Sequence, residues 1–154
     1  MKNQKLEINY SIATLSELNT KEQALIAKAK QMRENSYSPY SKFSVGAAVL
    51  CEDDEIIGGA NQENSAYPSG ICAERAAIFA AGSQKKNIIS LAIAAKNQDN
   101  KQSTAFPCGA CRQVILECEK LQTKKPITIF IVLQNNDIMI FDGIDCLLPF
   151  SFEL

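Results

Sequence analysis

The order of strand-like and helix-like segments predicts an α/β fold, a three-layer α/β/α sandwich around a mixed sheet of about five strands. Two observations carry this prediction. The segment 88–95 is almost continuously apolar, which is typical of a strand covered on both faces. Strands are followed by helical segments that lead to further strands, and such crossovers place helices on both faces of one sheet.

The first half of the chain predicts a helix and a hairpin. Thr20 with Gln23 is typical of a capping box and predicts a helix through about Arg33. Strands are then expected over 45–51 and 56–60, because both runs are apolar and the acidic turn 52–54 separates them.

The second half predicts two helices and three strands. Alanine at five positions marks a closely packed helix over 72–82, and an apolar stripe marks another over 108–121. The apolar runs at 88–95, 127–133 and 138–141 predict strands. The apolar segment 146–154 is expected to dock on the fold or on a partner. A length of 154 residues is that of one domain, so we expect a single domain over 1–154, with 1–19 as an N-terminal extension of uncertain structure.

Composition and charge exclude several classes of protein. The chain contains no histidine, which excludes Ser-His-Asp and Cys-His nucleophile systems and histidine metal ligands. A net charge of -1 without any basic stripe predicts that nucleic acid is not a partner. The N-terminus lacks the apolar core of a signal peptide, and no apolar run reaches the length of a membrane span. We therefore expect a cytoplasmic protein with no membrane partner, in which the six cysteines are reduced.

Three of the six cysteines lie where predicted helices begin. Cys72 starts one helix, and Cys108 and Cys111 form a C-x-x-C pair at the start of the next. Free N–H groups and the helix dipole favour thiolates at such positions. Zinc prefers four tetrahedral ligands, so three thiolates leave a position for water, as in a catalytic site. The spacing predicts one Zn²⁺ per subunit, while Cys51, Cys118 and Cys146 are expected in the core.

Glu74 and Arg75 follow Cys72 directly in the chain. Two helical residues rise about 3 Å, so the Glu74 carboxylate can reach the open zinc position and transfer protons there. Three thiolates leave a zinc site with an excess negative charge. A guanidinium that donates to the sulfurs would withdraw some of that charge, and we expect Arg75 to do so.

Five motifs surround and include the cysteine positions. They are Tyr37–Ala48 (YSPYSKFSVGAA), Asn61–Asn64 (NQEN), Tyr67–Arg75 (YPSGICAER), Pro107–Gln113 (PCGACRQ) and Leu147–Phe152 (LLPFSF). Together they give the chain a resemblance to the small homotetrameric, zinc-dependent cytidine deaminases, within the cytidine and deoxycytidylate deaminase superfamily. The resemblance covers roughly residues 20–152.

The resemblance implies a hydrolase of pyrimidine salvage that converts cytidine and deoxycytidine to uridine and deoxyuridine and releases ammonia. Cys72, Cys108 and Cys111 would bind zinc, and a zinc-bound hydroxide would attack C4 of the base. Glu74 would act on the water, on N3 and on the leaving ammonia. The backbone N–H of Ala73 would hold the pyrimidine O2.

The resemblance also implies how the nucleoside is bound. Asn61 and Glu63 would bind the ribose 3'-OH, and their i, i+2 spacing in an extended segment puts both on one side. Phe43 would pack against the base. Phe152 would reach the base in a neighbouring subunit's site, so that active sites lie at the interfaces of a homotetramer.

Other functions remain open at this point. A related deaminase could act on a nucleoside analogue or antibiotic, or on a polynucleotide, although the missing basic stripe disfavours the last. From another class, Cys108 and Cys111 could form the redox pair of a thiol-disulfide oxidoreductase, which leaves Cys72 and Glu74 unexplained. A zinc scaffold without catalysis would not need Glu74. Tyr37 and Tyr40 could pack in a loop or contact substrate, and Arg112 has no assigned role.

Overall fold

The computed structural model describes residues 1–152 and confirms the predicted α/β fold with helices on both faces of a mixed sheet. The strands are β1 Ser11–Ala13, β2 Ser44–Cys51, β3 Ile56–Ala60, β4 Ile88–Lys96, β5 Gln102–Ser103, β6 Thr128–Val132 and β7 Ile138–Asp142. They form one sheet in the order β1-β7-β6-β4-β2-β3, with β5 paired to β4. β4 and β6 run parallel, and the other pairs are antiparallel.

The expected number of about five strands is too low, since the sheet has seven strands within the described residues. All five predicted strands are present. The two additional ones, β1 and β5, contain three and two residues. β1 belongs to the N-terminal extension, where it pairs with β7, and the ring of Tyr10 lies 5.9 Å from that of Phe141. The short strands are too short to show an alternation of apolar and polar residues. They form because a longer strand offers unpaired backbone groups to them.

Three α-helices cover the sheet: α1 Thr20–Met32, α2 Ala73–Ser83 and α3 Gly109–Glu117. The predicted capping box of α1 is wrong by one residue. Asn19 is the N-cap, its Oδ1 accepts the N–H of Glu22 at 3.1 Å, and Oε2 of Glu22 accepts the N–H of Asn19 at 2.9 Å. Asparagine is a better N-cap residue than threonine, and glutamate differs from glutamine by a negative charge, which is favourable in the first turn of a helix.

The predicted helix over 108–121 is also too long. α3 ends at Glu117, and the chain continues as a π-helical turn, Cys118–Thr123. The wider turn carries Glu119 inward, where Oε2 accepts the N–H groups of Ile127 and Ile144, each at 3.0 Å. These buried hydrogen bonds account for the early end of the α-helix.

Each face of the sheet has its own core. On one face α1 packs Leu25, Ile26 and Ala29 against alternate residues of β2, β4 and β6. On the other face α2 and α3 pack over the remaining alternate residues, and this second core is the larger. β4 contributes Leu91 and Ile93 to the second core and Ala92 and Ala94 to the first, which confirms that it is covered on both faces. Within residues 1–152 no helix is both long and apolar enough to cross a membrane.

Candidate metal centre and pocket

The sulfurs of Cys72, Cys108 and Cys111 lie within 4.8 Å of one another. The Sγ atoms of Cys72 and Cys108 are 3.8 Å apart, and those of Cys108 and Cys111 are 3.5 Å apart. Sulfur ligands about 2.3 Å from a tetrahedral zinc ion are about 3.8 Å from each other. The three-sulfur cup, as we call these atoms, therefore has the dimensions and the donor chemistry that zinc requires.

Two helix N-termini converge at the three-sulfur cup. Cys72 is the N-cap of α2 and Cys108 is the N-cap of α3, both with extended backbone, and Cys111 lies in the first turn of α3. Free N–H groups at both helix starts favour negative charge on the sulfurs. α2 can approach β3 closely because position 59 is glycine, where a Cβ would lie 2.4 Å from the backbone nitrogen of Ala77.

Glu74 is the second residue of α2 and is 4% exposed. Burial raises the pKa of its carboxyl to about 7, and a nearby Cys72 thiolate raises that pKa as well. The pKa of Cys72 is lowered to about 5, chiefly because it accepts a hydrogen bond from Cys111, with a further hydrogen bond from Arg75. The cup thus contains one thiol that ionises readily beside a carboxyl that can be protonated near neutral pH.

Arg75 points toward the cup, as its expected role requires. Its Nη2 donates to Sγ of Cys72 at 3.6 Å. Among the described residues, its buried Nε has no hydrogen-bond partner. The contact with the thiolate raises the pKa of the guanidinium. Its effect on reactivity stays a prediction.

A cavity of about 730 Å³ opens beside the cup, a volume within the usual range for small-molecule sites. Most of the residues expected to bind substrate or act on it line this cavity, together with two of the cysteines: Phe43, Asn61, Glu63, Cys72, Ala73, Glu74, Arg75 and Cys108. The structure thus brings these residues together around one space, although they come from separate segments of the chain.

Most of the hydrogen-bonding groups of the Asn61 side chain are bonded to other residues of the protein. Its Oδ1 accepts the N–H of Val45 at 2.8 Å and the hydroxyl of Ser36 at 2.6 Å, while Nδ2 donates to the Phe43 carbonyl at 3.0 Å. Both lone pairs of the oxygen are therefore occupied, and one amide hydrogen is left to donate to a ligand. Asn61 also fixes the segment that carries Phe43.

Glu63 stands at the exposed rim of the cavity. Its Oε2 accepts the N–H groups of Tyr40 and Ser41 at 2.9 and 3.2 Å. The pKa of Glu63 is lowered, first by a hydrogen bond from the Ser41 hydroxyl and then by these backbone donors. The carboxylate is held in one orientation and keeps acceptor capacity on Oε1.

Phe152 is not among the residues that line this cavity. Its side chain is 69% exposed, and its carbonyl oxygen accepts a hydrogen bond from Nε2 of Gln113 at 3.1 Å. Phe150 is also exposed, whereas Leu147 and Leu148 pack partly against the larger core. The segment predicted to dock is therefore attached at its start and exposed toward its end, and its last two residues lie outside the described residues.

Two aromatic residues that line the cavity, Tyr67 and Phe106, were not predicted as site residues from the sequence. Tyr40 lines the cavity too, whereas Tyr37 bridges to the 61–63 segment through its backbone. Phe106 stands two residues before Cys108, so its closeness to a metal-ligand position was the available signal. Loop aromatics are not periodic, and only the folded chain shows which side they face.

The remaining three cysteines and Arg112 contact the core or the backbone and do not line the cavity. Cys51 and Cys118 are buried in the larger core as expected, and Cys146 packs against it while partly exposed. Burial raises the pKa of the Cys118 thiol to about 11. Arg112, which had no assigned role, donates to two backbone carbonyls.

Comparisons with known proteins agree with this site. Residues 19–125 match the model of the family described as the cytidine and deoxycytidylate deaminase zinc-binding region. A cytidine deaminase of Halalkalibacterium halodurans is 47% identical over 103 residues, which are 66% of this chain and 75% of that protein. A cytidine deaminase of Sporosarcina psychrophila is 51% identical over 94 residues, which are 60% of this chain and 66% of that protein.

Solved structures give the same result over more of the chain. The crystal structure of cytidine deaminase from Burkholderia pseudomallei is 34% identical and aligns with a TM-score of 0.72 over 84% of this chain and 97% of that one. Cytidine deaminase from Mycobacterium tuberculosis is 31% identical, with a TM-score of 0.67 over 88% of this chain and 100% of that one.

Proposed function

The chain belongs to the cytidine and deoxycytidylate deaminase zinc-binding family, and from that premise we propose that it hydrolyses cytidine and deoxycytidine to uridine and deoxyuridine with release of ammonia. One observation carries the proposal. The buried carboxyl of Glu74 lines a cavity that is large enough for a nucleoside, next to a cup of three cysteine sulfurs. A thiol-disulfide oxidoreductase would use Cys108 and Cys111 and would need neither Cys72 nor Glu74.

Cys72, Cys108 and Cys111 hold one zinc ion in this proposal. When bound, zinc supplies a Lewis acid that lowers the pKa of water to near neutrality. Arg75 donates to the Cys72 sulfur and reduces the negative charge on the ligands. These residues also leave one side of the cup open toward the cavity, where the cytosine ring is placed.

Glu74 moves the protons of the reaction. It accepts one proton from water and delivers it to N3 of the cytosine ring; it then accepts the second proton of that water, from the hydroxyl now bonded to C4, and delivers it to the amino group that leaves as ammonia. Burial raises the pKa of this carboxyl, which suits a group that both takes up and returns protons. Water supplies the oxygen of the product, so that nucleoside and water give uridine and ammonia.

Ala73, Asn61, Glu63 and Phe43 orient the nucleoside. Ala73 is the first residue of α2, so its N–H has no partner within the helix and is available for the pyrimidine O2. Asn61 donates its remaining amide hydrogen to the ribose 3'-OH, and Oε1 of Glu63 accepts the hydrogen of that hydroxyl. Phe43 packs against the base.

The charges of the cavity favour a nucleoside over a nucleotide. Among its lining residues Arg75 is the single basic one, and it donates to a cysteine sulfur. Glu63 and Glu74 line the same cavity, and their charges would repel a phosphate. We therefore expect no turnover of cytidine or deoxycytidine monophosphate.

We further propose a homotetramer with active sites at subunit interfaces, in which Phe152 reaches a neighbouring site. Support comes from the exposure of Phe150 and Phe152, 86% and 69%, since large exposed aromatic patches mark protein contacts. A single domain over 1–154 and a cytoplasmic location are part of the proposal. All six cysteines are free thiols, which fits a reducing compartment.

The test pairs metal analysis with substrate assays on one protein sample. We expect one zinc per chain, and production of uridine and ammonia from cytidine and the corresponding products from deoxycytidine. Monophosphates and nucleoside antibiotics serve as competing substrates in the same assay. A zinc-loaded tetramer that converts none of the nucleosides contradicts the proposal, and preferred turnover of an antibiotic or a monophosphate would reassign the substrate.

A further inference from the structure

Arg112 connects two segments that are far apart in the chain. Its Nε donates to the carbonyl of Pro107 at 2.9 Å, and its Nη1 donates to the carbonyl of Leu147 at 2.7 Å. Pro107 immediately precedes Cys108, whose sulfur belongs to the three-sulfur cup. Leu147 is the C-cap of the short helical turn Ile144–Cys146, and the C-terminal segment begins there. One guanidinium therefore joins the cup to the C-terminal segment.

The position of Arg112 on α3 makes this connection rigid. Its backbone N–H donates to the Cys108 carbonyl at 2.9 Å, so the residue is fixed within the first turn of the helix. The side chain then turns back to the residue before the helix. A guanidinium presents several donors in a fixed plane, whereas a lysine ammonium is a point charge on a flexible stem. The two carbonyls thus define both the position and the plane of the side chain.

Gln113 extends the same connection toward the end of the described chain. Its Nε2 donates to the carbonyl of Phe152 at 3.1 Å. Arg112 and Gln113 are consecutive on α3, and together they attach the C-terminal segment at Leu147 and at Phe152. Neither Leu147 nor Phe152 is among the residues that line the cavity.

We propose that Arg112 is a positioning residue that fixes the Cys108 end of the metal-binding loop and the C-terminal segment in one geometry. Loss of its side chain frees the Pro107 carbonyl, so the loop 105–108, which lines the cavity through Ala105, Phe106 and Cys108, becomes less ordered. It also releases the C-terminal segment at Leu147. The part that concerns Phe152 rests on the proposed function, because there Phe152 completes a neighbouring site.

The experiment compares Arg112→Met with Arg112→Lys and Gln113→Ala in the zinc-loaded enzyme. Zinc release to a chelator is measured alongside kcat and KM for cytidine. In Arg112→Met we expect zinc release to be about tenfold faster, in line with losses of outer-shell hydrogen bonds elsewhere. KM should rise by up to about tenfold, the equivalent of one lost hydrogen bond. Arg112→Lys should lie between this variant and the wild type, and Gln113→Ala should raise KM alone.

Arg33 provides a matched control. It is also a half-buried arginine whose Nε and Nη1 donate to backbone carbonyls, those of Lys30 and Ala95 at 3.0 and 3.2 Å, and its Nη1 also donates to Oε1 of Gln102 at 2.6 Å. It lies against α1 and does not line the cavity. Arg33→Met should lower the melting temperature while leaving zinc release and KM unchanged, which separates general destabilisation from positioning.

Each outcome bears on the proposal. If Arg112→Met released zinc at the wild-type rate and kept its KM, or if Arg33→Met changed both as much, Arg112 would have no positioning role. If Arg112→Met did not fold, the decision would rest on Arg112→Lys, for which wild-type values of both quantities overturn the proposal. Failure of the wild type to deaminate cytidine would refute the proposed function, yet the zinc-release comparison would still test Arg112.

Discussion

Two glutamates in this chain are almost equally buried and have opposite surroundings. Glu74 is 4% exposed and Glu119 is 5% exposed. The Oε2 of Glu119 accepts two backbone N–H groups, from Ile127 and Ile144, at 3.0 Å each. Glu74 faces the cavity next to the cysteine cup, and burial raises its pKa to about 7.

The contrast shows that burial alone does not identify a functional carboxyl. Two N–H donors compensate the desolvation of Glu119 and tie the π-helical turn to two other segments, so that carboxylate stabilises the fold. Burial outweighs the hydrogen bonds that Glu74 receives from its own backbone N–H and from Cys111, so the pKa of its carboxyl stays raised. The surroundings therefore predict that substitutions at the two positions have opposite effects on activity and stability.

Among the substitutions proposed here, Glu74→Gln should have the largest effect, a loss of kcat. Glutamine keeps the shape of the side chain but cannot accept and return a proton, so kcat for cytidine should fall by about 10² to 10⁴ or more. Zinc content should be unchanged, because Glu74 is not one of the sulfur ligands. Steady-state kinetics and metal analysis measure both. A Gln variant with wild-type kcat would remove Glu74 from the proton-transfer role.

Glu119→Leu tests the structural carboxylate. The substitution leaves the N–H groups of Ile127 and Ile144 buried without an acceptor, and each should cost about 1–3 kcal/mol of unfolding free energy. Denaturant unfolding measures the loss, while kcat of the folded enzyme should be retained. Glu119→Gln is the control, since its amide oxygen can still accept both hydrogens and its loss should be smaller. If Glu119→Leu and Glu119→Gln lost the same unfolding free energy, the two hydrogen bonds would not be the source of the stabilisation.

Gly143→Ala gives the smallest of the three effects. Gly143 has φ 104° and ψ 165°, a conformation that is essentially restricted to glycine, and a Cβ there would lie 3.4 Å from both carboxylate oxygens of Glu119. We expect a loss of about 1–3 kcal/mol of unfolding free energy.

Gly82 is the matched control for this substitution. It lies in α2, and a Cβ there would meet nothing within 4 Å, so Gly82→Ala should stabilise the protein by about 0.5–1 kcal/mol. Thermal or denaturant unfolding of both variants gives the comparison. An alanine tolerated equally well at both positions would argue against strain at Gly143.

The strands that could be predicted are those with their own apolar run, such as β2, β4 and β6. Buried strands must be apolar along their whole length, so the sequence alone identifies them. β1 and β5 could not be predicted, because two or three residues carry no period and their pairing depends on edges formed elsewhere. The π-helical turn after Glu117 was unpredictable for a related reason, since the partners of Glu119 are eight and 25 residues further along the chain.

The candidate site also has parts that could be predicted from the sequence and parts that could not. The cup was predictable because Cys72, Cys108 and Cys111 have the chemistry of ligands and positions at helix starts. Asn61 was predicted to bind ribose through the resemblance, but its internal hydrogen bonds to Ser36, Val45 and Phe43 become visible only once three segments meet. The two carbonyl contacts of Arg112 depend on the same long-range packing.

The pairing of β1 with β7 has a consequence for synthesis of the protein. Ser11–Ala13 align with residues 138–140, so this edge of the sheet cannot form until nearly the whole chain has left the ribosome. The three cysteines of the cup and the helices that follow Cys72 and Cys108 lie within residues 72–117. This part of the chain is therefore synthesised before β7, the strand with which β1 pairs at the edge of the sheet.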